Sequence, residues 1–172
     1  GILAWLRGEF DAARTYFERA TTGLPADFGQ RIQQLWFIPH DPVALAHEHL
    51  AWDRLTHGDL TGARVRLDRA VERAGQLGHP QGAYNHLYAI DMDIWVSAEV
   101  GRYDRARALI DELTRISDRY GLDHLYWQLL AATERAMVEG RAELASSDPD
   151  RAVMRTHVEA LTHMVEVWQA LG

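Results

Sequence analysis

The sequence predicts an all-α fold of antiparallel helix hairpins, and three observations carry that prediction. Three segments align without gaps: "GEFDAARTYFERA" from Gly8, "GDLTGARVRLDRA" from Gly58 and "GRYDRARALIDEL" from Gly101. No segment alternates apolar and polar residues over a strand length with turn signals at both ends. Helix punctuation recurs along the chain. Asp41-Pro42 and Asp148-Pro149 each offer an N-cap followed by proline at the first helical position. His79-Pro80 can open a helix, and Gly121 can end one before Asp123 caps the next.

The aligned segments justify the hairpins position by position. Each carries a Gly, then an aromatic or Leu (Phe10, Leu60, Tyr103), then an Ala (Ala13, Ala63, Ala106). A large apolar residue follows (Phe17, Leu67, Ile110), and then Ala20, Ala70 or Leu113. The Gly supplies a left-handed or flexible turn after one helix, and the apolar positions share one face of the next. Small Ala residues let two helices approach closely while the bulky residue fills the gap beside them. This order resembles the tetratricopeptide repeat, which implies a right-handed superhelix, an α-solenoid of about four repeats. The glycines Gly8, Gly58, Gly101 and Gly140 are spaced more widely than the ~34 residues of a standard repeat, so longer helices and one insertion are expected.

In order, helices are expected at 1–7, 11–22, 42–57, 61–77, 81–100, 104–120, 123–140 and 150–170. The fourth unit is degenerate: after Gly140, "RAELASSDPDRAV" reads as an inserted loop before the final helix. Residues 23–42 are the exception to the hairpin pattern. Their Leu35-Trp36-Phe37-Ile38 run is short for a helix and reads as an apolar strap over the first hairpin, or as a lid or docking element.

Composition narrows the function classes. A chain of 172 residues, 47% hydrophobic and 25% charged, fits one globular domain over residues 1–172. There is no bilayer-length apolar run and no leader pattern, so the cytoplasm is the expected location, with no membrane contact. With no Cys there is no disulfide, thiolate nucleophile or Cys-ligated zinc. All 18 basic residues are Arg, which removes the P-loop lysine and Schiff-base chemistry. The net charge of −7 disfavours direct nucleic-acid binding. The run "RVRLDRAVER" is balanced by Asp68 and Glu72 and reads as a solvated helix face.

One stretch, "HEHLAWDRLTHGDL" at 47–60, concentrates reactive side chains. His49, Asp53 and His57 recur at helical spacing, and two His with a carboxylate are plausible zinc ligands. From His49 to His57 such a helix rises about 12 Å, whereas ligands must lie within about 2 Å of one ion. Asp53 and His57 are therefore expected as an exposed pair near a helix end, while Leu50 and Ala51 face the interior. Asp91 and Asp93 point to different sides of their helix, and Glu159 with His163 reads as a surface pair. No Walker, nucleophile-elbow, His-Glu-x-x-His or dinucleotide motif is present, and the sequence assigns no catalytic residue, cofactor or metal.

Binding residues follow from repeat geometry, in which the first helices of stacked hairpins line a groove. Counting back from the turn glycines places Glu48, His49, Trp52 and Leu55 on that groove in one unit. Tyr88, Asp91, Trp95 and Glu99 follow in the next, and Trp127, Leu130 and Glu134 in the last. Aromatics flanked by acids would favour a basic ligand. The alternative for Trp52, Trp95 and Trp127 is packing between hairpins.

Four strings carry a narrower resemblance: "WFIPHDPVALAHEHLAWDRLTHGDLTGA", "LGHPQGAY", "IWVSAEVGRYDRARALIDEL" and "YGLDHLYWQLLAA". They are similar to the C-terminal helical-repeat region of large actinobacterial signalling proteins. In those, a cyclase domain or a LuxR-type helix-turn-helix is joined to an AAA/STAND-type ATPase. The resemblance implies a non-catalytic sensor or interaction module whose partner is a protein, a peptide, a small effector or another domain of the same protein. The ATPase, cyclase and DNA-binding motifs are missing, so those activities do not carry over. The chain is expected to be a segment of a larger protein, with homo-oligomerisation through repeat ends open to it. The rival readings are a metal-dependent hydrolase on the His/Asp-rich helix and a spacer or oligomerisation segment.

Overall fold

The computed structural model describes residues 1–25, 27, 28, 31, 40–122 and 124–171. Among these residues it is helical, with eight helices and no strand. They are α1 (Ile2–Leu6), α2 (Phe10–Gly23), α3 (Pro42–Thr56), α4 (Leu60–Gly75), α5 (Gln81–Glu99), α6 (Tyr103–Tyr120), α7 (His124–Leu144) and α8 (Arg151–Leu171). The chain divides into two units, Gly1–Met92 and Asp93–Gly172, the division falling within α5. In the first, α1 packs on α2, α2 on α3 and α3 on α4; in the second, α6 packs on α7 and α7 on α8. No helix among the described residues is long and apolar enough to cross a membrane.

The aligned glycines turn the chain as the sequence requires. Gly8, Gly58 and Gly101 have φ of 75°, 76° and 73°, the left-handed region that L side chains enter at a cost. The next amide in each case reaches back to the same carbonyl of the preceding helix. Glu9 donates to Ala4, Asp59 to Arg54 and Arg102 to Ser97, at 2.9, 2.9 and 2.8 Å. Three separate segments thus end their helices with one hydrogen-bond pattern, which satisfies carbonyls left over at a helix terminus. Beyond each turn the aligned Ala residues Ala13, Ala63 and Ala106 are fully buried, and Phe17, Leu67 and Ile110 are buried beside them. The aromatic-or-Leu position does not join this core: Phe10 and Leu60 open their helices with about half their surface exposed.

Asp41 fixes the start of α3 and ties three elements together. Its carboxylate Oδ1 accepts from the Val43 and Ala44 amides at 2.9 and 3.0 Å, with Pro42 at the first helical position. Arg73, in the last turn of α4, donates to the same carboxylate from Nε (3.1 Å) and Nη2 (2.8 Å). The Asp41 amide donates to Asn85 Oδ1 at 2.8 Å, and Asn85 Nδ2 donates to the Gln81 carbonyl in the first turn of α5. Asp41 and Asn85 have no exposed surface. A polar cluster so buried is stable only when its donors and acceptors meet, as they do here.

Three expectations need correction. Gly140 does not mark a turn: α7 continues to Leu144, and a Cβ on Gly140 would lie 3.3 Å from that of His157 on α8. Its missing side chain serves helix contact, and the fourth-unit turn falls later, at 145–150. Asp150, rather than Asp148, caps α8, accepting from Ala152 at 2.7 Å while Glu143 Oε1 holds its own amide at 2.6 Å. His163 pairs with Glu166, not Glu159, at 3.7 Å. The 35–38 apolar run and the cap expected of Asp123 lie outside the described residues.

Candidate functional site

A pocket of about 660 Å³ opens within the first unit, between the first hairpin and the C-terminal half of α3. The Gly8 turn folds Trp5, at the end of α1, back toward Phe10, at the start of α2. Their rings meet edge to face at 5.1 Å and 74°. From α3 come Trp52, Asp53, Thr56 and His57, two adjacent pairs one helical turn apart and so on neighbouring faces. Arg14 and Asp11 of α2 complete the charged part of the lining.

The charged groups are bound to one another. Arg14 Nε lies 2.9 Å from both oxygens of Asp53, whose side chain is 8% exposed. Arg14 Nη2 donates to His57 Nε2 at 3.2 Å, and His57 Nδ1 donates to the Asp53 carbonyl at 2.7 Å. Arg14 Nη1 faces Asp11 at a looser 3.3 Å, and the Asp11 carboxylate is almost fully in solvent. Hydrogen bonding to Asp53 raises the Arg14 pKa above its ordinary value, against the opposing effect of burial. Asp53 does face His57 one turn on, Nδ1 to Oδ1 at 3.9 Å, as an i,i+4 pair, but its side chain is buried rather than exposed. It is a buried anchor that crosses from α3 to α2, and His57 orients on its backbone.

The residues read as groove-lining from the sequence have different fates. Trp52 lines the pocket. Glu48 is buried at 2% exposure, with Oε2 3.0 Å from His40 Nε2 and Oε1 without a hydrogen-bond partner. His49 is half-buried, its ring against Trp5 at 5.4 Å and Phe17 at 4.8 Å, and its Nδ1 donates to the Leu45 carbonyl. Glu48 is thus an interior residue, and His49 packs into the contact between the first hairpin and α3. Leu55 and Asp91 are half-buried, and Tyr88 stacks on His40 at 4.2 Å. In the second unit Trp95 is 36% exposed and donates from Nε1 to Glu134 Oε1 at 2.7 Å. Glu99 is exposed and pairs with Arg141, and Leu130 is half-buried. Trp127 and Glu134 are at 0% and 1% exposure and so are core side chains, out of reach of a surface ligand.

No family model, curated relative or solved structure matches the chain.

The sequence reading missed Trp5, Phe10, Asp11 and Arg14. A signal for the aromatic pair was present, since a tight turn at Gly8 brings the residues on either side of it together. The Arg14–Asp53 contact has no local signature, because its partners are on different hairpins. Zinc chemistry at 47–57 finds no convergent ligands: His49 faces rings, Asp53 holds Arg14, and among the described residues no three metal-binding side chains come together.

Proposed function

We propose that this chain is a non-catalytic interaction and sensor module that binds a protein, peptide or small effector. In this reading its hairpins are a tetratricopeptide-like right-handed solenoid of about four repeats. It belongs to a multidomain cytoplasmic signalling or transcriptional regulator, and binding shifts an attached ATPase between two states. Such a shift requires that the ligand bind one state more tightly than the other. The observation that carries the proposal is the pocket lined by Trp5, Phe10 and Trp52, with Arg14, Asp53 and His57 of the same lining hydrogen-bonded together. Aromatic walls supply contact area, which suits binding. His57 Nε2 is already engaged by Arg14.

The test is a ligand-observed NMR screen of small aromatic and peptide fragments on the wild type, Trp52→Ala and Phe10→Ala. Fragments that bind the wild type are expected to lose contact with both variants. Phe10 is half exposed, so Phe10→Ala should keep the wild-type melting curve. Fragments that bind all three proteins equally would place binding elsewhere.

A further inference from the structure

We propose that the first-unit pocket is selective for an organic cation, an alkylammonium or guanidinium group, over neutral and anionic ligands of the same size. The inference rests on the pocket being the binding site and adds its ligand chemistry. Trp5 and Phe10 meet edge to face at 74° and both line the pocket, and Trp52 adds a third aromatic side chain. Aromatic faces carry negative potential and attract cations lying within ~6 Å of the ring centre. The volume, about 660 Å³, suits a ligand group far larger than a metal ion.

Charge points the same way. The lining holds two carboxylates against one guanidinium. Arg14 spends Nε on Asp53 and Nη2 on His57, so two of its donors are already engaged. Among the described residues the Asp11 carboxylate meets Arg14 at 3.3 Å, and 96% of its side chain is exposed, so it is open to an added partner. A cation gains both the ring faces and Asp11. An anion meets Asp11 first and gains Arg14 only by breaking it from its present partners. A neutral ligand gains the rings alone. Cation–π attraction at a partly exposed site corresponds to a preference of about three- to tenfold.

The experiment is a titration of the whole chain, by tryptophan fluorescence and NMR, with benzyltrimethylammonium, benzyl alcohol and benzoate. Two tripeptides, N-acetyl-Gly-Arg-Gly-amide and its neutral citrulline analogue, run alongside. Benzyltrimethylammonium is expected to bind about fivefold more tightly than benzyl alcohol, with benzoate weakest. Asp11→Asn should reduce that preference without abolishing it, since the rings remain, whereas Phe10→Ala should weaken both ligands. A parallel preference for arginine over citrulline supports a peptide side chain as the source of the cation. A preference confined to benzyltrimethylammonium supports a free small molecule. Equal binding of cation and alcohol overturns the selectivity and leaves the pocket as a site, and tightest binding of benzoate overturns it in favour of an anion at Arg14. Cation binding indifferent to both substitutions, or no binding by any probe, overturns the selectivity and the pocket together.

Discussion

Removing the Asp41 carboxylate should be among the most damaging single changes in the first unit. Asp41→Ala takes two acceptor contacts from the first turn of α3, a capping loss of about 1 kcal/mol. It also deprives Arg73, whose side chain is 10% exposed, of its carboxylate partner. Breaking such a buried pair from one side typically costs about 3–5 kcal/mol. The sum, about 4–6 kcal/mol, rivals the whole stability of an ordinary domain. Arg73→Met removes the opposite partner but leaves the carboxylate on two amides at a helix N-terminus, where negative charge is favoured, so it should cost about 2–3 kcal/mol. Asp41→Asn keeps the cap acceptor and should fall between the wild type and Asp41→Ala. The assay is urea unfolding followed by circular dichroism at neutral pH. A cost for Asp41→Ala under about 1.5 kcal/mol, or an Arg73→Met variant less stable than Asp41→Ala, would refute this reasoning.

Three further outcomes are expected. Burial, with Arg66 and Arg69 nearby, pushes the His47 imidazole down from 6.5 to about 4, and burial lowers His49 as well. Between those values the unfolded chain binds more protons than the folded one, so stability is full above pH 6.5 and declines as pH falls toward 4. With His47 half-buried, solvent screening leaves about 1–2 kcal/mol of this, which His47→Gln should abolish in urea melts at neutral and acid pH; an unchanged decline would reject the assignment. Gly58→Ala places its Cβ in open space and should cost only the left-handed backbone penalty of about 1 kcal/mol. Gly82→Ala would set a Cβ 2.5 Å from the Leu77 carbonyl oxygen and should cost more; thermal melts that rank the two the other way would contradict the packing. Trp127→Ala should lose about 3–5 kcal/mol as a core truncation, and a melting temperature within about 2 °C of the wild type would show the indole to be dispensable.

The helical class and most helix positions were legible because they depend on local chemistry. Asp41-Pro42, the three turn glycines and Gly121, with φ of 59°, announce helix ends through the backbone conformations only such residues adopt readily. Gly140 misled the reading for an equally physical reason: glycine also serves where a neighbouring helix comes close, and sequence alone does not separate the two uses. The pocket was half legible. Trp52 stood out by type and helical spacing. Glu48, Trp127 and Glu134 share that spacing but are buried, which helical periodicity alone does not reveal. Asp53 looked like a surface residue because its partner, Arg14, comes from the preceding hairpin.

The Asn85 side chain gives the chain a reporter of its own opening. The Asp41 amide lies just outside α3, where backbone hydrogens ordinarily exchange with water within a fraying segment. Here it is sealed at 2.8 Å by a side chain from α5. It can exchange only when the beginnings of α3 and α5 part from each other. Its protection in deuterium oxide therefore measures the free energy of a joint opening that no amide within either helix reports.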